Sequence, residues 1–351
     1  MTPEFWRGRR VLLTGHTGFK GSWLALWLER LGADVGAVAL APDTEPSLFE
    51  ALSPWPRLDG HLGDLRDPAV ALEAVAKARP DIVFHLAAQA LVRRSHAQPV
   101  ATFETNVTGT VNLLEVLRDA PTVKAVVVVT SDKVYANHGR GGAFREDDPL
   151  GGADPYSASK ACQDLVAAAY HKSFLAARGI AVGRARAGNV IGGGDWAADR
   201  LVPDFVRAMA AGDVLAVRNP DATRPWQHVL EPLAGYLAYA EALAAGSNAP
   251  EALNFGPAAK DIWPVRQVVE GLVERWGDGA GWRHDKADHM AEAALLTLNA
   301  GLATETIGWS PRLGLDEALD WTVAWYRAAA AGDDMRALSL DHIARYEERP
   351  S

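Results

Sequence analysis

The chain has 351 residues, of which 48% are hydrophobic, and its formal net charge is −9. This length allows one large domain or two smaller ones, and the acidic balance makes nucleic acid and anionic membrane surfaces poor partners. The single cysteine, Cys162, excludes an internal disulfide and suits a reducing compartment. No apolar stretch approaches the ~18 residues of a membrane span, and none follows the N-terminal charges as in a signal peptide, so we expect a cytoplasmic protein.

A glycine-rich turn near the N-terminus carries the first motif. An apolar run over residues 11–13 leads into glycines spaced Gly-x-x-Gly-x-x-Gly, and a helical pattern follows at once through Leu31. Such glycines let the backbone approach a pyrophosphate, and the N–H groups and dipole of the helix N-terminus attract its charge. The turn therefore predicts a dinucleotide site, although any strand-to-helix turn rich in glycine has similar spacing. Its residues are Gly15, His16, Thr17, Gly18, Phe19, Lys20 and Gly21.

Apolar strand patterns alternate with helical patterns through the first half of the chain. After the first strand we predict strands at 34–40, 58–62, 81–86, 124–130 and 180–186. Continuous apolar strands separated by helices are typical of a parallel sheet covered on both faces, with ligands at the carboxyl ends of the strands. We therefore predict an α/β fold, a Rossmann-type doubly wound parallel sheet with a smaller C-terminal substrate-binding lobe.

The pattern changes after Asn189, where glycine, proline and tryptophan interrupt shorter helices. We assign residues 1–189 to the dinucleotide-binding domain, with a return segment near 224–245, and residues 190–223 and 246–340 to the smaller lobe. The last 15 or so residues are charged, and we expect them to be loosely held.

The second strand indicates which nicotinamide cofactor binds. Residues 32–55 contain no Lys or Arg, while Asp43 and Glu45 follow this strand and Asp64 follows the third. The 2′-phosphate of NADP would meet no cation from this stretch, so NAD is favoured. The acidic residue usual at the very end of the strand is missing, since Leu40 stands there.

Two groups of polar residues indicate the chemistry. Tyr156 and Lys160 lie four residues apart, on one face of a helix whose start is signalled by Asp154-Pro155. An ammonium beside a phenol lowers the pKa of the phenol, so Tyr156 can remove a hydroxyl proton as hydride leaves the same carbon. A Tyr and a Lys on the exposed surface of a helix can have the same spacing without taking part in catalysis. Ser131, Asp132 and Lys133 follow the valine-rich strand, at a strand end that faces the ligand crevice.

The other candidate groups give weaker indications of a function. His284, Asp285, Asp288 and His289 are possible metal ligands, but they lie in a charged segment without neighbours patterned to orient them, and we predict no metal site. Cys162 lies inside a helical pattern with no His and Asn set to pair with it, so we expect no catalytic thiol.

Taken together, the motifs resemble a known family. The glycine turn, Ser131-Asp132-Lys133 and Tyr156-Ser157-Ala158-Ser159-Lys160 resemble the extended short-chain dehydrogenase/reductase superfamily. With the run Gly192-Gly193-Gly194-Asp195-Trp196, the chain is similar more closely to the CDP-glucose 4,6-dehydratases.

The resemblance implies a three-stage reaction on a nucleotide sugar. Tyr156, with Ser131 and Lys160, would deprotonate the sugar 4-hydroxyl while hydride passes from C4 to NAD⁺. The resulting 4-ketone acidifies the C5 proton, so that water leaves across C5 and C6 and the hydride returns to C6. Asp132 would protonate the departing 6-hydroxyl, and either Lys133 or a water relay would take the C5 proton.

The resemblance also implies which residues hold the two ligands. NAD would lie against the glycine turn and against Asp64, Leu65, Leu86, Ala87, Ala88, Gln89, Tyr156 and Lys160. The substrate, CDP-glucose, would contact Gln89, Arg93, Ser131, Asn189, Arg200, Leu201, Val202 and Arg224. Arg200 and Arg224 would hold the diphosphate, because a guanidinium fits it with paired hydrogen bonds. Arg200 also suits a surface helix, and Trp196 and Trp226 suit either the core or stacking on the nucleotide.

Two other functions stay open on the sequence. An epimerase or a dehydratase of another nucleotide sugar would share Tyr156 and Lys160, but an epimerase has no use for Asp132 and Lys133. A catalytically silent NAD(H)-binding protein would need none of these residues. The resemblance further implies a homodimer or tetramer paired through helices near 99–118 and 157–178, and a role in deoxyhexose synthesis for surface polysaccharide such as lipopolysaccharide.

Overall fold

A seven-stranded parallel sheet forms the centre of the molecule. The computed structural model describes residues 2–137, 139, 142–246, 248–277, 279–287 and 296–350. Its strands are β1 (Arg10–Thr14), β2 (Asp34–Ala39), β3 (Leu58–Leu62), β4 (Ile82–His85), β5 (Ala125–Val129), β6 (Ala181–Ala187), β7 (Val190–Ile191), β8 (Leu215–Val217), β9 (Thr223–Pro225), β10 (Gln227–His228), β11 (Ala252–Phe255), β12 (Ile262–Pro264) and β13 (Trp282–His284). The strand order β3-β2-β1-β4-β5-β6-β11, with every pair parallel, is that of a doubly wound dinucleotide-binding sheet.

Helices cover both faces of this sheet. They are α1 (Pro3–Trp6), α2 (Phe19–Arg30), α3 (Leu48–Ala51), α4 (Pro68–Ala78), α5 (Val92–Ala97), α6 (Pro99–Phe103), α7 (Gly109–Leu117), α8 (Pro155–Tyr170), α9 (Leu201–Ala210), α10 (Leu230–Ala244), α11 (Val265–Trp276), α12 (Gly301–Ile307), α13 (Leu315–Ala331) and α14 (Met335–Glu347). None of the helices in the described ranges is long and apolar enough to cross a bilayer.

The central strands β4 and β5 are apolar because they are buried on both faces of the sheet, whereas the edge strand β3 is largely exposed. Successive side chains of a strand point to opposite faces, and along β5 Val126 and Val128 pack into one core cluster while Val127 packs into the other. All five residues of β5 are buried. The predicted strands coincide with β2 to β6 to within one residue at each end, and the predicted fold class is confirmed.

The second half of the chain is organised differently. Outside the main sheet, β7 pairs with β10, β8 with β13 and β9 with β12. The helix expected to return to the first domain does so, since α10 packs on β5 and β6. One boundary is corrected: β11 forms the edge of the main sheet beside β6, so residues 252–255 belong to the sheet and not to the smaller lobe. The division into two lobes stays a prediction.

The C-terminal segment is an ordered helix, contrary to our expectation. Helix α14 packs against α2 and buries Ile343 and Tyr346 completely or nearly so. Glu347 accepts hydrogen bonds from Trp27 Nε1 (2.8 Å) and Arg30 Nε (3.0 Å) of α2. Several charges of this segment are paired with the helices it packs on, Arg336 with Glu29 of α2 and Arg349 with Glu317 of α13, and are not free in solvent.

Glu231 joins this C-terminal layer to the sheet. It lies fully buried on α10, where its Oε1 accepts from the backbone N–H groups of Arg312 (2.9 Å) and Leu313 (2.5 Å). Its Oε2 accepts from the hydroxyl of Tyr346 on α14 (2.8 Å). Burial raises the pKa of Glu231 to about 7 from an ordinary value of 4.5. The folded protein therefore favours the neutral carboxyl.

We predict that Glu231 makes folding stability depend on pH in a defined window. Because the folded-state pKa is raised, the stabilising contribution is complete below about pH 4.5 and is lost as the pH rises through about 7. Glu231→Gln keeps the shape and cannot ionise, so wild type should lose stability relative to this variant across that window, by at most about 1.4 kcal/mol per pH unit. Urea unfolding of both proteins from pH 4 to 8 measures the difference. A difference that does not change with pH would contradict the assignment.

Candidate active site

An open cleft crosses the carboxyl ends of β1, β4 and β5 and continues into the second half of the chain. Every residue predicted to bind cofactor or substrate, or to act in catalysis, lines this cleft except His16. The order of the strands brings these residues together. Strands β1, β4 and β5 are neighbours, and because they are parallel their carboxyl ends lie at one edge of the sheet.

The glycine turn lies against the loop that follows β4. Gly15 has φ of +80°, and a Cβ there would lie 2.8 Å from the backbone nitrogen of Ala87. A Cβ on Gly21 would lie 1.9 Å from the carbonyl oxygen of Gly15. Gly18 precedes α2 as its N-cap residue and supplies no side-chain cap, so the N–H groups of the first turn have no side-chain acceptor from it. This close-packed turn fits the pyrophosphate of a dinucleotide.

The side chains of the turn have separate roles. His16 does not line the cleft: its ring packs edge-on against Phe49 (5.1 Å between centroids), and burial lowers its pKa to about 4. Thr17 donates a hydrogen bond to the carbonyl of Leu40 (2.8 Å), which ties the turn to the end of β2. Lys20 extends into the cleft, and its amine lies 3.4 Å from the Tyr236 hydroxyl. Burial lowers the pKa of Lys20 to about 8.

Two ion pairs lie in the part of the cleft beside the ends of β2 and β3. Arg94 of α5 lies 3.1 Å from Asp43, and Arg66 lies 2.5 Å from Asp64. Residues 32–55 alone do not indicate Arg94, because it lies 51 positions from Asp43 in the chain. A carboxylate already neutralises each of these two cations. This part of the cleft therefore lacks the net positive charge that would favour the 2′-phosphate of NADP.

Tyr156 and Lys160 lie at the start of α8, as predicted. Asp154 caps this helix by accepting from the N–H of Ser157 (2.9 Å), and Pro155 occupies its first position. Lys160 Nζ donates to the carbonyl of Val129 (2.9 Å) and to Gln163 (2.5 Å). Burial, with the charge of Lys20, lowers the pKa of Lys160 to about 7.

The pKa of Tyr156 differs from our expectation. We expected Lys160 to lower it, but burial raises it, because a phenolate loses its hydration in this part of the cleft. A hydrogen bond with Ser131 and the charge of Arg200 act in the opposite direction. The sequence could not predict the raised pKa, because the burial of Tyr156 depends on residues from distant parts of the chain that form the walls of the cleft.

The segment after β5 forms a tight turn that presents one carboxyl oxygen to the cleft. Ser131 Oγ donates to Asp132 Oδ1 (2.9 Å) and accepts from the N–H of Lys133 (3.2 Å). Asp132 is 3% exposed, and its Oδ2 has no hydrogen-bond partner among the described residues. Burial raises the pKa of Asp132, opposed by Lys133, Arg224 and Lys20. The carboxyl group is therefore biased toward its protonated form.

The opposite wall of the cleft is rich in arginine. Arg200 lies at the start of α9 and pairs with Asp195 (3.1 Å), while Arg224 of β9 is 8% exposed. Arg93 lies 3.2 Å from Asp199. Arg218, which the sequence analysis missed, lies 3.7 Å from the same carboxylate and also lines the cleft. No local sequence pattern indicated Arg218, because its partner Asp199 lies outside the neighbouring residues of the chain.

The other residues predicted to contact a ligand line the cleft, but not all of their side chains are free to bind one. Asn189, Leu201 and Val202 line the cleft, and so do Trp196 and Trp226. Gln89 lines it too, but its side-chain amide is bound to the backbone of Leu91 and to Thr102. Within the described ranges no group of three or more His, Cys, Asp or Glu side chains could hold a metal ion, and Asp288 and His289 lie outside those ranges.

Comparison with known proteins identifies the family. The sequence model of the NAD dependent epimerase/dehydratase family matches residues 11–256, which is more than half of the chain. The chain belongs to this family. Its cofactor is NAD, as predicted.

Individual relatives define the resemblance further. The chain is 47% identical to a CDP-glucose 4,6-dehydratase of Salmonella typhimurium, over 98% of this chain and 97% of that one. It is 30% identical to a dTDP-glucose 4,6-dehydratase of Streptomyces griseus, over 90% and 93% of the two chains. The structure of DesIV, a dTDP-glucose 4,6-dehydratase of Streptomyces venezuelae solved with NAD, superposes with a TM-score of 0.78 at 28% identity, over 92% and 98% of the chains. The predicted resemblance is confirmed.

We predict that two neighbouring glycines of the turn respond differently to alanine. Gly21→Ala forces a methyl group into the Gly15 carbonyl and should destabilise the protein without ligand by more than about 2 kcal/mol. At Gly18 the nearest atom is 3.5 Å away, so Gly18→Ala should leave that stability unchanged but weaken NAD binding about tenfold, since the methyl group meets the pyrophosphate. Thermal unfolding and calorimetric titration with NAD measure the two effects. Equal loss of stability in both variants would contradict this account of the turn.

Proposed function

We propose that this protein catalyses the NAD-dependent 4,6-dehydration of CDP-glucose to CDP-4-dehydro-6-deoxyglucose. The observation that carries the proposal is the buried Asp132, whose unpaired Oδ2 lies in the same cleft as Tyr156. A proton donor beside the oxidising tyrosine is required to expel water and has no use in an epimerase. The 47% identity to a CDP-glucose 4,6-dehydratase supports the choice of substrate.

In the first stage Tyr156 removes the proton of the sugar 4-hydroxyl. The bound NAD supplies the oxidation of C4 and, later, the reduction of C6. Burial opposes ionisation of the phenol, so Tyr156 acts as a base only with the hydrogen bond of Ser131 and the positive charge of Arg200 beside it. Lys160, with its pKa near 7, holds the carbonyl of Val129 and thereby the end of β5.

In the second stage Asp132 donates its proton to the departing 6-hydroxyl. Its raised pKa keeps the carboxyl group protonated to a higher pH than an exposed aspartic acid, which general acid catalysis requires. Lys133 follows in the same turn and takes the C5 proton, directly or through a water molecule. The 4-ketone formed in the first stage makes that proton acidic.

The arginine-rich wall provides the binding energy for the nucleotide. Arg200 precedes α9 and Arg224 lies in β9, and both line the cleft, which suits a diphosphate held by two guanidinium groups. Arg93 and Asn189 lie beside them and contact the sugar in this proposal. The indole N–H of Trp226 is buried without a partner among the described residues, and it can donate to the nucleotide.

The proposal also covers the oligomeric state of the protein and its place in metabolism. Large apolar side chains stay exposed on the helices that we expect to pair across a two-fold axis, namely Val100, Phe103, Leu165 and Phe174. Burying them supports a homodimer, of which a tetramer is a further association. We place the reaction in the cytoplasm, in deoxyhexose synthesis for surface polysaccharide such as lipopolysaccharide.

The proposal is tested by incubating the protein and NAD⁺ with CDP-glucose, UDP-glucose, GDP-mannose and dTDP-glucose in turn, followed by mass spectrometry of the products. We expect loss of one water from CDP-glucose alone, and no product from Tyr156→Phe, which lacks the base. Loss of water from a different sugar nucleotide would replace the substrate and keep the mechanism.

Two further outcomes of this experiment would overturn the proposal. An isomer of unchanged mass would show an epimerase. No reaction with any of the four nucleotides by a protein that binds NAD would show a catalytically silent NAD(H)-binding protein.

A further inference from the structure

A buried ion pair lies behind the cleft, between β6 and α8. Arg186 Nε and Nη2 donate to Asp164 Oδ2 and Oδ1, both at 2.8 Å, and the two side chains are 3% and 0% exposed. This paired geometry fixes the distance and the orientation between the two groups. Neither side chain lines the cleft, so the pair does not touch substrate or cofactor.

The pair holds both ends of the turn that carries Asp132 and Lys133. At one end Thr130 Oγ1 donates to Asp164 Oδ2 (3.2 Å). At the other end Arg186 Nη1 donates to the hydroxyl of Tyr135 (2.9 Å). Residues 131–133 lie between these two attachments.

Asp164 also relates this turn to the catalytic helix. It lies one helical turn after Lys160 and two turns after Tyr156 on α8. The ion pair therefore connects the residues of the elimination step to those of the oxidation step through a path of hydrogen bonds that is buried along its length.

Tyr135 is held from two more directions. Its hydroxyl donates to Asn254 Oδ1 (2.6 Å), and its ring stacks on Phe144 at 4.9 Å between centroids with 3° between the planes. Asn254 in turn donates to the carbonyls of Phe144 (3.0 Å) and Asn299 (3.2 Å). The hydroxyl of Tyr135 thus has a donor and an acceptor in fixed places, and its loss releases one end of the turn.

A buried ion pair contributes little net stability, because desolvation of the charges offsets their attraction. The effect of this pair on the position of nearby groups is larger than its effect on stability. Displacing a catalytic group by about 1 Å can slow a reaction about a hundredfold. We propose that Arg186 and Asp164 are positioning residues that, through Thr130 and Tyr135, fix Asp132 and Lys133 relative to Tyr156. The inference rests on the proposed dehydratase function.

The step that depends on this positioning is the elimination. The C5–H and C6–O bonds break and a C5=C6 bond forms. The C5 proton goes to Lys133 or its water, and the C6 oxygen takes the proton of Asp132 and leaves as water. Oxidation at C4 uses Tyr156 on α8 together with Ser131. Ser131 is next to Thr130, at the end of the turn that the Thr130–Asp164 hydrogen bond still holds when the hydroxyl of Tyr135 is lost.

Tyr135→Phe tests the inference with a small change. The variant keeps the ring that stacks on Phe144 and removes only the hydroxyl. Tyr239→Phe is the matched control, because it removes another buried hydroxyl, which donates to the Pro250 carbonyl away from the turn. Single-turnover experiments with NAD⁺ and CDP-glucose follow reduced cofactor by absorbance and dehydrated product by mass.

In Tyr135→Phe we expect elimination to slow about 10- to 100-fold while C4 oxidation and KM change less than about twofold, so that reduced cofactor accumulates. Tyr239→Phe should lower the melting temperature without such accumulation. Thr130→Val releases the end of the turn that carries Ser131, so it should slow C4 oxidation as well, but elimination by the larger factor. It serves if Tyr135→Phe does not fold.

Three results would overturn the inference. If the rates of oxidation and elimination fall by the same factor in a folded variant, or if neither rate changes, the ion pair is structural only and the proposed function stands. If the wild-type protein dehydrates no sugar nucleotide, the proposed function and this inference fall together.

Discussion

The exclusion of water from the end of β5 controls the chemistry of the whole cleft. Burial raises the pKa of Asp132 and of Tyr156 and lowers that of Lys160 to about 7, so each group shifts toward its neutral form. A neutral Asp132 is a proton donor, whereas Tyr156 needs the help of Ser131 and nearby positive charge to act as a base. In the proposed mechanism, one desolvated region thus supplies the acid for elimination and makes the base depend on Ser131 and on nearby positive charge.

The fold builds this region from elements that lie far apart in the chain. The order of the sheet brings the glycine turn after β1, the loop after β4 and the turn after β5 to one edge. The cap at Asp154 starts α8 at that edge, and Arg200 and Arg224 close it from the second half of the chain. The close contact between Gly21 and Gly15 leaves the backbone of the turn free to face a dinucleotide. The residues proposed for oxidation and those proposed for elimination therefore share one cleft.

Local signals in the sequence were enough to predict the strands and the catalytic helix. The four valines of β5 and the Asp154-Pro155 start of α8 act over a few residues, and the structure has both where we expected them. Interactions between distant residues were not predictable, as the pair of Arg94 with Asp43 shows. A motif also fixes the path of the backbone better than the direction of a side chain: His16 belongs to the turn but packs away from the cleft. For α14, a count of charges concealed the apolar face that contains Tyr346.

The central claim is that C4 oxidation and loss of the 6-hydroxyl depend on different residues of one cleft. Stopped-flow absorbance of Asp132→Asn, mixed with NAD⁺ and CDP-glucose, tests it most directly, because asparagine keeps the shape of the side chain but is not an acid. We expect reduced cofactor to form at close to the wild-type rate and to persist, while dehydrated product forms at least about 100-fold more slowly. Dehydration at the wild-type rate, or loss of oxidation together with elimination in a folded variant, would contradict the account.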